Sequence, residues 1–123
     1  MRKILVVDDE EPLRMLYEEA LKREGYEVLT ACNGKEALAV LEKAKPDLIV
    51  LDIMMPVMNG MEALSPVLGK NRDVPIILHT SFPEFREDFK SWAAEAYITK
   101  SPDLTELKSK IRELLEKRER SIP

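Results

Sequence analysis

Short apolar runs alternate along the chain with longer stretches in which apolar residues recur at helical spacing. The runs Lys3–Val7, Glu27–Ala31, Leu48–Leu51, Ile76–His79 and Ala96–Thr99 read as strands. The first and third lack polar alternation, which fits central strands buried on both faces. Between them the pattern predicts helices. The first, Glu11 to Glu24, has Pro12 in its first turn, Gly25 just past its end, and Leu13, Leu16, Tyr17, Ala20 and Leu21 at helical spacing. The second runs from about Lys35 to Lys43, with Ala37, Leu38 and Leu41 facing inward. A third starts near Met61 and is short or kinked, because Pro66 removes a backbone donor inside it. The fourth spans about Pro83 to Ala94. The fifth spans about Leu104 to Arg118, with a stripe of Leu104, Leu107, Ile111, Leu114 and Leu115 and an Asp103/Glu106 pair resembling a capping box. Strand–helix alternation of this kind predicts an α/β domain around a parallel sheet.

Length and composition narrow the possibilities. The 123 residues suffice for one domain with a full core and are too few for two. Residues 120–123 are expected to be a disordered tail. A net charge of −4 with mixed signs gives no electrostatic reason to bind nucleic acid or an acidic membrane directly. Cys32 is the only cysteine, so no internal disulfide can form, and a reducing, cytoplasmic setting is expected. The first apolar run is too short for a signal sequence or a membrane span.

The chemistry sits where strands end. Asp8 and Asp9 follow the first strand, Asp52 the third, Thr80 the fourth and Lys100 the fifth. The carboxyl edge of an open parallel sheet is where ligands and chemistry are found. Clustered carboxylates are costly unless a cation joins them, so a hard divalent metal is the natural completion. Each residue alone has a plainer reading: Asp8-Asp9 as a cap or solvated turn, Lys100 as a surface lysine, Thr80 as a turn former, Tyr97 as a core ring. Their joint occurrence at successive strand ends reverses that balance.

Those pieces, Val6-Val7-Asp8-Asp9-Glu10, Leu51-Asp52-Ile53-Met54-Met55-Pro56 with Met58-Asn59-Gly60, Leu78-His79-Thr80-Ser81 and Tyr97-Ile98-Thr99-Lys100, closely resemble the response-regulator receiver domain of two-component signalling. The resemblance covers Lys3 to about Glu116 and implies a receiver domain over residues 1–119. It also implies a doubly wound (βα)5 flavodoxin-like fold, with a five-stranded parallel sheet in order 2-1-3-4-5 and helices on both faces. Asp52 would take a phosphoryl group from the phosphohistidine of a sensor histidine kinase or histidine phosphotransfer protein. Asp8, Asp9, the Asp52 carboxylate and the Met54 backbone carbonyl would hold Mg2+, with Mn2+ able to substitute. Lys100 and the Thr80 hydroxyl would meet phosphoryl oxygens.

Thr80 and Tyr97 would then act as the switch, reshaping the surface of the fourth helix, fifth strand and fifth helix for a downstream effector. The resemblance implies a bacterial phosphorelay protein, monomeric or dimerising on phosphorylation, that catalyses only its own phosphorylation and slow dephosphorylation. Such a protein is not a turnover enzyme. A degenerate receiver that only binds partners is the competing reading, disfavoured because every catalytic position is filled. An aspartyl-nucleophile phosphatase expects Asp at position 54, which is Met, and a nucleotide binder expects a glycine-rich loop where Asp8-Asp9-Glu10 stands. Ser101 departs from the proline usual after the lysine. His79 alternates with Thr80 and is expected to be a half-buried packing residue on the opposite sheet face.

Overall fold

The structure, a computed structural model, describes residues 2–52, 74–80, 96–101 and 103–121. Met54, the third and fourth predicted helices, Pro66 and Pro102 lie outside the described residues, and of Thr80 only the backbone is described. The described elements are β1 (Lys3–Val7), α1 (Glu11–Arg23), β2 (Glu27–Ala31), α2 (Gly34–Lys43), β3 (Leu48–Leu51), β4 (Ile76–Thr80), β5 (Ala96–Thr99) and α3 (Thr105–Ser121). All strand pairings are parallel and the sheet order is β2-β1-β3-β4-β5, as expected. The final helix, α3, continues through Ser121, into the stretch expected to be a tail.

The apolar strands divide their side chains between two cores, which is the reason for the doubly wound arrangement. Leu5, Val7, Ile49, Leu51, Ile76 and Leu78 pack with Ala37 and Leu41 of α2 on one face. Ile4, Val6, Val50, Ile77 and Ile98 pack with Tyr17 and Leu21 of α1 and with Leu107, Ile111 and Leu115 of α3 on the other. Helices therefore cover both faces. Leu16 departs from the inward stripe and stays 45% exposed. It lies one helical step from Tyr17, at the stripe's solvent edge, while Tyr17 and Leu21 repeat at i, i+4 and take the buried line.

Helix ends explain how the loops are set. α1 begins with Pro12 in its first turn and ends in the left-handed Gly25 (φ 97°). There Tyr26 N–H donates to Leu21 O (3.3 Å) and Gly25 N–H to Lys22 O (3.0 Å), a Schellman-type close. At α2 the Asn33 side chain accepts from Glu36 N–H (2.8 Å) while Glu36 Oε1 accepts from Cys32 N–H (3.0 Å). This pair of bonds satisfies one orphan donor of the first turn, Glu36 N–H, and the N–H of Cys32 just before the cap, and it is announced in the sequence only by the Asn33–Glu36 spacing. The Asp103/Glu106 box does not form as expected. Asp103 Oδ1 accepts from Thr105 N–H (2.9 Å) and Thr105 Oγ1 (2.6 Å), and Asp103 N–H goes instead to Ser101 Oγ (3.2 Å). Among the described residues no peptide bond is cis, so Lys100–Ser101 is trans.

Candidate functional site

Register carries the acidic residues to one place. Val7 pairs with Leu51, so Asp8 and Asp52, each one residue on, leave adjacent central strands side by side. Backbone bonds fix both: Asp8 N–H donates to Ala31 O (3.1 Å) and Asp52 N–H to Val7 O (2.9 Å). The turn into α1 is tied back on Asp8. Its Oδ1 accepts from Glu10 N–H (2.9 Å), and its carbonyl accepts from Arg14 Nη1 (2.7 Å). On the far side Thr80 pairs with Thr99, which places Lys100 just past the end of β5.

Asp8 and Asp52 are buried, 2% and 4% exposed, and burial of two such groups requires positive charge close by. Lys100 supplies it. Its Nζ lies 2.7 Å from Asp8 Oδ2, 3.1 Å from Asp52 Oδ2 and 3.8 Å from the more exposed Glu10 Oε1. Burial works against the Lys100 charge, but the hydrogen bond to Asp8 and the charges of Asp52 and Asp8 outweigh it and hold the ammonium above its ordinary pKa.

The carboxylate oxygens of Asp8, Asp9 and Glu10 can come within 4.8 Å of one another. This all-oxygen set, with Asp52 across Lys100, fits a hard divalent cation such as Mg2+ and offers nothing to a soft metal. Glu10 was not among the expected ligands, although the Asp-Asp-Glu run displayed it. Arg14, four residues beyond Glu10, was missed as the anchor of the turn. Tyr97 is partly buried against the α2-side core, on the face opposite Ile98. His79 is more buried than expected, at 2%. Its ring lies 5.0 Å from that of Tyr17, and its Nδ1 finds no hydrogen-bond partner among the described residues. Asp8, Asp52 and Lys100 thus meet as the sequence predicts, with Asp9 beside them.

Comparison with known proteins agrees with this geometry. The family model described as the response regulator receiver domain matches residues 4–112. The chain belongs to the response regulator receiver family. This receiver is similar to the response regulator TrrA of Thermotoga maritima, solved in complex with Mg2+ and BeF, at 46% identity and a TM-score of 0.87 over 93% of this chain and 99% of that one. TrrA has also been solved with the histidine kinase ThkA, and there the TM-score to this receiver is 0.85 over 94% of this chain and 99% of that one. It is 32% identical to the sporulation initiation phosphotransferase F of Bacillus subtilis, over 92% of this chain and 93% of that protein. It is 44% identical to the probable transcriptional regulator ycf27 of Pyropia yezoensis, over 92% of this chain but 47% of that protein. The receiver therefore spans about half the length of that relative. Among the described residues no helix is long and apolar enough to cross a membrane.

Proposed function

We propose that this receiver takes a phosphoryl group onto Asp52 from the phosphohistidine of a sensor histidine kinase or histidine phosphotransfer protein, in the cytoplasm. The receiver domain would extend over residues 1–119. The observation that carries the reading is a buried Asp52 held 3.1 Å from a buried lysine at the sheet's carboxyl edge. An Asp52 oxygen attacks phosphorus, the phosphorus–nitrogen bond breaks, and the imidazole leaves with the electron pair and takes up a proton. Asp8, Asp9, Asp52 and the Met54 carbonyl would hold Mg2+ or Mn2+, which would neutralise charge on the phosphoryl oxygens. Lys100, already within 3.1 Å of the nucleophile, needs only to turn from a carboxylate oxygen to a phosphoryl oxygen. The backbone of Thr80 ends β4 beside Thr99, and its hydroxyl would serve another phosphoryl oxygen.

The new contacts would bias Thr80 and Tyr97 between two arrangements and alter the face formed by the fourth predicted helix, β5 and α3. That face would engage the downstream effector, with the protein monomeric or dimerising once phosphorylated. The receiver would catalyse only its own phosphorylation and slow loss of phosphate. Incubation with acetyl phosphate should give a Mg2+-dependent mass gain that Asp52→Ala abolishes. A mass gain that persists in Asp52→Ala, or none in the parent, would overturn the reading, the latter in favour of a receiver that only binds partners.

A further inference from the structure

Asp9 sits between two peptide planes, and each plane is anchored by a different residue. Arg14 Nη1 donates to Asp8 O (2.7 Å), the carbonyl of the peptide that leads into Asp9. Glu10 N–H, in the peptide that leaves Asp9, donates to Asp8 Oδ1 (2.9 Å). A peptide unit is rigid, so anchoring both planes restrains φ and ψ of Asp9 and with them the direction in which its side chain leaves. The two anchors are not equivalent. The second uses the Asp8 carboxylate, which already meets Lys100 (2.7 Å) and is a group that a cation would draw upon. The first uses a backbone carbonyl and is independent of what the Asp8 carboxylate binds.

Arg14 is itself firmly placed. Its backbone N–H donates to Glu10 O (2.9 Å), the first hydrogen bond of α1. Arg14, Tyr17 and Leu21 fall at i, i+3 and i+7, on one helix face, and the last two are 2% and 1% exposed in the core. The packed helix thus turns that face to the sheet, and the half-buried Arg14 stands where it meets the end of β1. A cation near the N-terminus opposes the helix dipole, so helix stability alone does not favour an arginine at this position. Its charge-assisted bond to Asp8 O is what it gains there. We propose that Arg14 is a positioning residue of the cation site, holding the Asp8–Asp9 peptide so that the Asp9 carboxylate is directed at the ion. This role rests on the reading above in which Asp8, Asp9 and Asp52 hold Mg2+.

Mg2+ titrations of the whole chain, followed through backbone amide resonances, give a dissociation constant without phosphorylation and report the fold in the same spectra. Arg14→Met removes both charge and donor, and it should weaken Mg2+ binding about tenfold, the usual cost of losing an outer-sphere partner of a ligand. A charge acting by proximity alone predicts the reverse, since removing a cation beside an acidic pocket would tighten Mg2+. Arg14→Gln, neutral and too short to reach Asp8 O, should match Arg14→Met. Arg14→Lys, which keeps one charged donor, should bind within about threefold of the parent. Asp9→Asn should cost less in the Arg14→Met background than in the parent, because the carboxylate it removes is already out of place. A purely structural arginine would lower the melting temperature and leave the Mg2+ constants equal. The proposal is overturned if folded Arg14→Met and Arg14→Gln bind Mg2+ as tightly as the parent or more tightly, or if Asp9→Asn costs the same in both backgrounds. A parent that binds no Mg2+ would overturn the cation site itself, and this role with it.

Discussion

Replacing Lys100 with methionine keeps most of the length of the side chain, short by one heavy atom, and removes its charge. In the parent, the ammonium sits 2.7 Å from Asp8 and 3.1 Å from Asp52, with all three side chains 7% exposed or less. At an effective dielectric near 20 these two attractions are worth about 6 and about 5 kcal/mol. Desolvating the three groups returns several kcal/mol each, so the net effect is much smaller than the sum. Removing one partner of a buried ionic cluster typically costs about 3–5 kcal/mol, because the remaining charges stay buried without compensation. For a domain of this size that is a fall of roughly 10–20 °C in melting temperature.

Pairing holds the folded pKa of Lys100 above its ordinary value, so the contribution is fully present below pH 10.5 and lost only as pH rises beyond it. Calorimetry in chelator at pH 7 should show the loss, and Mg2+ should reverse part of it by supplying the missing positive charge. A Lys100→Met protein as stable as the parent in chelator, or one that Mg2+ does not rescue, would refute this account of the pocket.

Other substitutions probe the same electrostatics. Asp52→Asn leaves a one-to-one Asp8–Lys100 pair in place of two carboxylates sharing one ammonium. It should stabilise the fold in chelator by about 1 kcal/mol, roughly 4 °C in melting temperature, while weakening Mg2+ binding, and a drop in chelator would count against crowding. His79 has its pKa pushed down to about 4 by burial, with the Lys100 charge adding to the effect. The unfolded chain takes that proton below pH 6.5 and the folded chain does not, so stability should fall between pH 6.5 and 4 by up to about 3 kcal/mol. His79→Phe should flatten the slope by up to one proton in denaturant titrations at successive pH values. Finally, the Cys32 thiol donates to Glu36 Oε2 (3.1 Å), and this bond raises its pKa. Glu36→Gln should speed alkylation of Cys32 at pH 7, and an unchanged rate would show that the bond does not govern the thiol.

The frame was legible because β1 and β3 carry apolar runs, Ile4–Val7 and Leu48–Leu51, each closed by an aspartate. Leu48–Leu51 is buried at every position, so neither face requires alternation, and the bounds of four of the five strands match their expected residues. The meeting of Asp8, Asp52 and Lys100 followed from the same fact, since a parallel sheet gathers all its strand ends on one edge. What the pattern did not carry was which partner each side chain chooses. Lys100 was expected to await a phosphoryl oxygen, and the structure shows its ammonium between two carboxylates. Glu10 stood in the Asp8-Asp9-Glu10 run with no role of its own, yet it reaches towards Lys100 (3.8 Å), its backbone N–H bonded to Asp8 Oδ1. His79 read as half-buried from one strand alone. Its full burial depends on Tyr17 arriving from α1, a contact between residues 62 positions apart that no local pattern encodes.

Sheet order also explains why the counter-charge is a lysine on β5. Asp52 follows β3 and Lys100 follows β5, with β4 between them, a lateral gap of about 10 Å at ordinary strand spacing. A long flexible stem crosses that distance, and a compact ammonium then fits between two carboxylates where a planar guanidinium would favour one. The balance remains unequal: Asp8, Asp9, Glu10 and Asp52 bring four negative charges against two from Lys100 and Arg14, a deficit of two. Under the proposed function an incoming phosphoryl group deepens that deficit. A divalent cation held by Asp8, Asp9 and Asp52 would then offset the repulsion between these carboxylates and the incoming group, and Lys100 would supply the charge able to follow the transferred oxygens.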